Sequence, residues 1–257
     1  MAEESVVVEK ELTIKSPIVV HTRNVAKELI RVSKKYKFPV DMLDFNVLDV
    51  KTFTRTSEEA QKDLDWTELF DDDINYYNEE DAILTKDVQL KQEYDIEIFE
   101  KTEREPIDDL ETSIGANNYV TTVYLSIKKG SHIHYYDGLK DDLYLLILKK
   151  KLRANILILL FEAPLKETVE KFTAKVRVAG EMVLQDKQML LIARGIDPVA
   201  TVDDKLVTNR QLETVSVDSV KKMDYSKRGF MMSAVKDQVL FEYTKPKMGI
   251  ASRNCRS

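Results

Sequence analysis

Residues 137–180 read DGLKDDLYLLILKKKLRANILILLFEAPLKETVEKFTAKVRVAG, and the succession of patterns within them decides the fold. Leu139, Leu143, Leu146 and Ile147 fall on one face of a helix that Asp137 is placed to cap. Lys149, Lys150, Lys151 and Arg153 gather at its other end, where the helix dipole favours cations. The apolar run Ile156–Phe161 follows without alternation, as expected of a short strand buried on both faces. Pro164 then suits the first turn of a second helix, with Leu165, Val169, Phe172 and Val176 at helical spacing and Gly180 placed to end it. With Met189–Ala193 as a further short strand, this segment predicts one βαβ crossover.

Towards the N-terminus, Thr22 is positioned to cap a helix carrying Val25, Leu29, Val32 and Tyr36 on one face, and Pro39 limits its length. Asn46–Thr54, Gln89–Lys101 and Asn118–Lys128 read as long strands of antiparallel type. In the last of them Val123, Leu125 and Ile127 point one way and Thr122, Tyr124 and Ser126 the other. After Gly195 no helical period survives. Short apolar pieces (Leu206–Val207, Val215–Val217, Gly229–Met232, Val239–Tyr243) alternate there with polar turns, which reads as all-β. The expected class is therefore α+β, with long antiparallel strands, about three helices and an all-β C-terminal part. The expected division is an N-terminal α+β region over 1–135, holding an acidic insert, and an α/β then all-β region over 136–257.

Composition narrows the function classes. A hydrophobic content of 43% in 257 residues supports a folded core. Charged residues make up 33% and the net charge is -6, so the chain as a whole repels nucleic acid and anionic lipid. The charge is uneven: Glu58–Glu111 is acidic, with Asp71-Asp72-Asp73 and Glu79-Glu80-Asp81, whereas Lys205–Arg256 leans basic. Cys255 is the single cysteine, so no internal disulfide can form and no thiolate zinc site is available. Met1–Lys15 lacks a signal-peptide core, and the apolar runs are too short to span a bilayer. These features predict a cytoplasmic protein without membrane insertion.

From Leu152 onward the residues resemble a known family. Lys151-Leu152-Arg153-Ala154-Asn155-Ile156-Leu157-Ile158 is similar to a basic-helix-to-strand junction. Ile192-Ala193-Arg194-Gly195-Ile196-Asp197-Pro198 is similar to an "IA-x-G-x-x-P" turn, followed by Asp203-Asp204. Asp224–Gly229 and Val235–Leu240 resemble sheet-edge turns. Lys245-Pro246-Lys247-Met248-Gly249 with Arg253-Asn254-Cys255-Arg256 resembles a "P-x-x-G-x-x-G-R-x-x-x-G" exit. Together these resemble the N-terminal domain of the flagellar assembly protein A (FapA) family, which usually has Gly where Asp237 stands. The resemblance implies a role in flagellar assembly or in placing flagella at the cell pole, with partners in that machinery and enrichment at the pole. It carries over no catalytic residue or cofactor. Family members continue into a long parallel β-helix-like domain, so the resemblance implies that the chain stops at a domain border.

His132 and His134 lie two apart and face one side of a strand, but a stable metal site needs three or four ligands, so they read as edge-strand residues and no metal is expected. Asp71–Asp73 lacks the alternating ligands and the glycine of a calcium loop. No G-x-S-x-G elbow, P-loop or G-x-G-x-x-G occurs, and Cys255 sits near the end of the chain where no pocket is expected to close over it, so a non-enzymatic protein without cofactors is predicted. Arg228-Gly229-Phe230 and the basic Lys221, Lys222 and Lys227 leave weak nucleic-acid binding as an alternative, beside a metal-binding regulator built on His132 and His134. Asp186-Lys187 resembles the modified dipeptide of carrier sheets and Val235–Tyr243 their hairpins, but the two lie too far apart and Lys187 is flanked by helix-end and loop residues. Trp66, Phe70, Tyr76 and Tyr77 combine anchoring aromatics with acidic steering charge, the composition of a partner-contact surface and equally of a loop that packs its own aromatics on the domain. The leading expectation is thus a non-catalytic protein-interaction module.

Overall fold

A computed structural model of the chain describes residues 16–77, 88–101, 106–208 and 241–256. It is α+β, with antiparallel sheets and mostly strands after residue 180. The chain divides into two compact units, 1–197 with 252–257, and 198–251.

In the first unit, β1 (Ile18–Thr22), α1 (Val25–Tyr36) and β2 (Leu43–Thr56) form a split β-α-β arrangement. The long strand β4 (Val88–Glu100) lies between β1 and β2, antiparallel to both, and β3 (Thr67–Leu69) adds to the far edge of β2. Val25, Leu29 and Val32 of α1 pack with Leu43, Phe45, Tyr94, Ile96 and Ile98 from one sheet face. Alternation puts Lys91, Glu93, Asp95 and Glu97 on the other. Asn24, rather than Thr22, caps α1: its side chain accepts from the Lys27 N–H at 3.0 Å, while Thr22 still belongs to β1 and its hydroxyl accepts from the Asn24 N–H.

A second sheet is ordered β5 (Thr112–Ala116), β6 (Thr122–Ile127), β9 (Gln188–Arg194). β7 (His132–His134) and β8 (Glu181–Val183) form a separate ribbon. Helices α4 (Leu139–Arg153) and α5 (Ala163–Ala179) bury Leu143, Ile147, Val169, Phe172 and Val176 with Val123, Leu125, Ile127 and Ile192. The alternation of β6 is as expected, but residues 118–121 turn instead of extending, because the Asn117 side chain accepts from the N–H groups of Thr121 and Thr122. Asp137 does not cap α4. Gly138 occupies that position at φ 104, a backbone region open mainly to glycine, and its carbonyl accepts from the Asp142 N–H.

The run Ile156–Phe161 is not a strand, so it forms no βαβ crossover with α5 and β9, and β9 pairs antiparallel with β6 instead. Leu159 and Phe161 adopt left-handed backbone at φ 65 and 60, which bends the run. Ile156, Leu157, Ile158, Leu160 and Phe161 are buried nevertheless. Each such side chain contributes about 1.5–3 kcal/mol, so the five outweigh about 1–2 kcal/mol at each left-handed residue. The backbone of this segment is satisfied from three directions. The Leu157 N–H donates to the Cys255 carbonyl, the Arg194 N–H donates to the Phe161 carbonyl, and Ile158 bonds at both its N–H and C=O to the side chain of Gln92 on β4. That fully buried amide also donates to Thr52 Oγ1 at 2.9 Å and accepts from the Tyr94 hydroxyl at 3.0 Å.

The second unit is a ribbon. β10 (Lys205–Thr208) pairs antiparallel with β11 (Phe241–Thr244). Below them Val199 with Ile250 and Val202 with Lys247 exchange reciprocal N–H···O=C bonds of 2.9–3.0 Å. The bonded pairs recur every third residue, and Gly249 is required because a Cβ there would lie 2.5 Å from the Val199 carbonyl oxygen. The expected strand pieces Val215–Val217 and Gly229–Met232, and the turns Asp224–Gly229 and Val235–Leu240, lie outside the described residues.

Replacing Gln92 with Leu strands the Ile158 N–H and C=O in the interior, and should cost about 2–4 kcal/mol of unfolding free energy in urea titration. Leu159→Gly relieves the left-handed backbone at a half-exposed position and should leave stability unchanged or raise it by up to about 1 kcal/mol.

Candidate partner-binding surface

The surface starts from the outer face of the first sheet. Register places Phe53 opposite Lys91 and Arg55 opposite Gln89, all pointing away from α1. A short helix, α2 (Ser57–Gln61), turns the chain after β2. It is held by a capping box in which the Thr56 side chain accepts from the Glu59 N–H and the Glu59 carboxylate accepts from the Thr56 N–H. The returning chain lays Trp66, half-buried, onto this face. The Arg55 guanidinium and the Lys91 ammonium each lie 4.7 Å from its ring centroid, and Lys91 also lies 4.8 Å from the Phe53 ring. Trp66 is therefore an anchored platform.

Phe70 and Tyr76 are placed differently. Phe70 precedes helix α3 (Asp71–Tyr77), and its N–H donates to the Asp73 carboxylate at 3.3 Å. Ile74 turns inward to the core that Leu69, Val88 and Leu90 border. Phe70 and Tyr76 are left 71% and 42% exposed next to Asp71, Asp72 and Asp73. Tyr77 ends α3, and its side chain, like the run Glu79-Glu80-Asp81, lies outside the described residues. The structure thus gives three of the four expected contact residues surface positions, with Trp66 stacked under cations and Phe70 and Tyr76 open. Phe53, Arg55 and Lys91 went unnamed in the sequence; the alternation of β2 and β4, which sets them on one face, is the signal that could have found them.

Along the same sheet face the charge changes sign. Arg23 and Lys91 both pair with Glu93, at 2.6 and 3.5 Å, and His21 reaches Asp95 at 2.7 Å and Glu93 at 3.3 Å. Burial opposes the charge on Glu93, yet the Arg23 guanidinium and Lys91 hold its carboxyl below the usual range. The hydrogen bond to Asp95 raises the His21 imidazole above its ordinary 6.5, against a small loss of hydration and with help from both carboxylates.

The remaining candidates do not converge. His132 and His134 share one exposed face of β7, as expected, but His132 pairs with Glu181 at 2.7 Å while the His134 ring leans on Tyr136 with centroids 5.5 Å apart. Among the described residues no group of three or more His, Cys, Asp or Glu side chains is placed to hold a metal. Cys255, expected to lack an enclosing pocket, is instead wholly buried, because residues 253–256 return beside Ile196, Val120 and Leu157. Burial pushes its thiol up to about 11, against the pull of Lys151, so it stays protonated at neutral pH. Lys151 is itself fully buried and paired with Glu162, and burial outweighs that partner, lowering its ammonium from the usual lysine range. Lys221, Lys222, Lys227 and Arg228 lie outside the described residues. No described helix is long and apolar enough to cross a membrane.

The turn that closes the first unit is built on Gly195 and Asp197. Gly195 donates its N–H to the Thr121 carbonyl at 2.7 Å, Asp197 accepts from the Thr121 hydroxyl and from Asn117, and Arg253 pairs with Ile196. Gly195, Ile196, Asp197 and Arg253 belong to the stretch 153–257 that matches the family model described as Flagellar Assembly Protein A N-terminal region, whereas Asn117 and Thr121 lie before it. Residues 153–257, under half of the chain, are similar to a FapA N-terminal region. The family name links that region to flagellar assembly. No curated protein and no solved structure shows significant similarity to the chain. The FapA region takes in α5, β8, β9 and the ribbon unit, whereas Trp66, Phe70 and Tyr76 stand outside it.

Two measurements check this surface. Arg55→Met with Lys91→Met removes both cation–π contacts, worth about 0.5–1 kcal/mol each at such a site, and should red-shift the emission of Trp66, the only tryptophan. The raised His21 contributes stability that is fully present below about pH 6.5 and is lost as pH rises through its folded-state pKa. The urea midpoints of the wild type and His21→Gln should therefore differ most below pH 6.5 and converge once the pH has risen past the folded-state pKa, with an imidazole titration above 6.5 by NMR.

Proposed function

We propose that the protein is a non-catalytic interaction module of the flagellar apparatus, cytoplasmic and enriched at the cell pole, where it assists flagellar assembly or polar placement and thereby motility. The FapA match over residues 153–257 carries the flagellar part of this reading. The contact role is supported by the exposed Phe70 and Tyr76 beside three consecutive aspartates, which join apolar anchors to a field that attracts a basic partner. Trp66, preordered by Arg55 and Lys91, loses little side-chain freedom when it is covered. The partners in this reading are proteins of the flagellar or cell-pole machinery, and no bond-making step is assigned to the chain.

Phe70→Ser with Tyr76→Ser leaves the buried Ile74 in place, so the fold should survive while pull-down of flagellar proteins and swimming-halo diameter fall several-fold. Normal flagellar number, position and swimming in cells lacking the gene would remove the flagellar role. Unchanged pull-down by the double variant would remove this surface alone.

A further inference from the structure

The outer face of the β5–β6–β9 sheet carries a second feature. Glu111, Thr112, Ser113, Ser126, Lys128, Lys129 and Lys187 line a hollow of about 640 Å³. The register builds it: Ser113 lies opposite Ser126, and Thr112 and Gln188 both lie opposite Ile127. The start of β5, the turn after β6 and the turn before β9 are thereby brought to one place. Lys128 is neutralised by Glu111 at 2.6 Å. Lys129 and Lys187 have no carboxylate partner among the described residues, and the Ser126 hydroxyl, on a residue only 6% exposed, makes no hydrogen bond among them. Three ammonium groups therefore face one carboxylate in a chain whose net charge is -6.

We propose that this hollow binds a di- or triphosphate group. Lysine ammonium groups are compact point charges with three rotatable donors each, suited to a multiply charged oxyanion, whereas the guanidinium fork that selects a single planar carboxylate is missing from the lining. The volume falls in the range of small-molecule sites and exceeds what one orthophosphate fills. Ser113 and Ser126 add hydroxyl donors on the floor, between the lysine-bearing turns. Because the whole chain repels anions, capture depends on several contacts at once, and affinity rises with phosphate number.

Isothermal titration of the full chain at about 50 mM salt, with orthophosphate, pyrophosphate and tripolyphosphate as probes, should show saturable one-to-one binding that tightens in that order. Lys129→Gln with Lys187→Gln should weaken tripolyphosphate about tenfold, and Ser126→Ala by several-fold. Lys34→Gln with Lys35→Gln, on α1, should leave affinity unchanged. Absence of saturable binding overturns the proposal, as does equal weakening by the two lysine pairs. Citrate or a poly-glutamate peptide competing as strongly as tripolyphosphate also overturns it, since the hollow would then be a carboxylate site.

Discussion

A single buried amide ties the first unit together. Gln92 sits on the central strand of its sheet, and its side chain bonds both the N–H and the C=O of Ile158 while satisfying Thr52 and Tyr94. An amide in an apolar interior is tolerated because all of these bonds are made. It gives the bent segment 156–161 the pairing that a neighbouring strand would otherwise supply. From that fixed segment follow the inward aim of Leu157 and Leu160, the seat of Cys255, and the meeting of Leu152 and Ile158 with the α1 side of the first sheet.

Much of this was legible in residue patterns, and the exceptions share a physical origin. Leu165, Val169, Phe172 and Val176 repeat at helical spacing, and Gly180 donates its N–H to the Val176 carbonyl, so α5 and its end could be read directly. The α+β class followed from such helices beside the alternation in β2, β4 and β6. Continuous apolar character in Ile156–Phe161 reported burial correctly but not conformation, because left-handed backbone at Leu159 and Phe161 is imposed by distant partners and leaves no local trace. The all-β reading of the C-terminal part holds, with Leu206–Val207 in β10 and Phe241–Tyr243 in β11, but the isolated pairs Val199–Ile250 and Val202–Lys247 recur every third position, which matches neither the strand period of two nor the helix period of 3.6.

The candidate contact surface was legible in composition and illegible in arrangement. Trp66, Phe70, Tyr76 and Tyr77 look alike in a sequence, yet Trp66 lies under Arg55 and Lys91 from separate strands while Phe70 stands open. Register between β2 and β4 decides this difference, and register arises from the whole sheet. The phosphate hollow has the same character, since Lys129 and Lys187 are far apart in the chain and meet only through the pairing of β6 with β9.

The return of residues 253–256 also orders events during synthesis. Cys255 belongs to the same core as Ile74, Val123 and Leu165, and its backbone completes the pairing of Leu157 and Val120. A nascent chain emerging from the ribosome therefore exposes an unfilled seam in its first unit until the ribbon unit has been translated. Such long-range closure slows folding and leaves the seam open to chaperones over that interval.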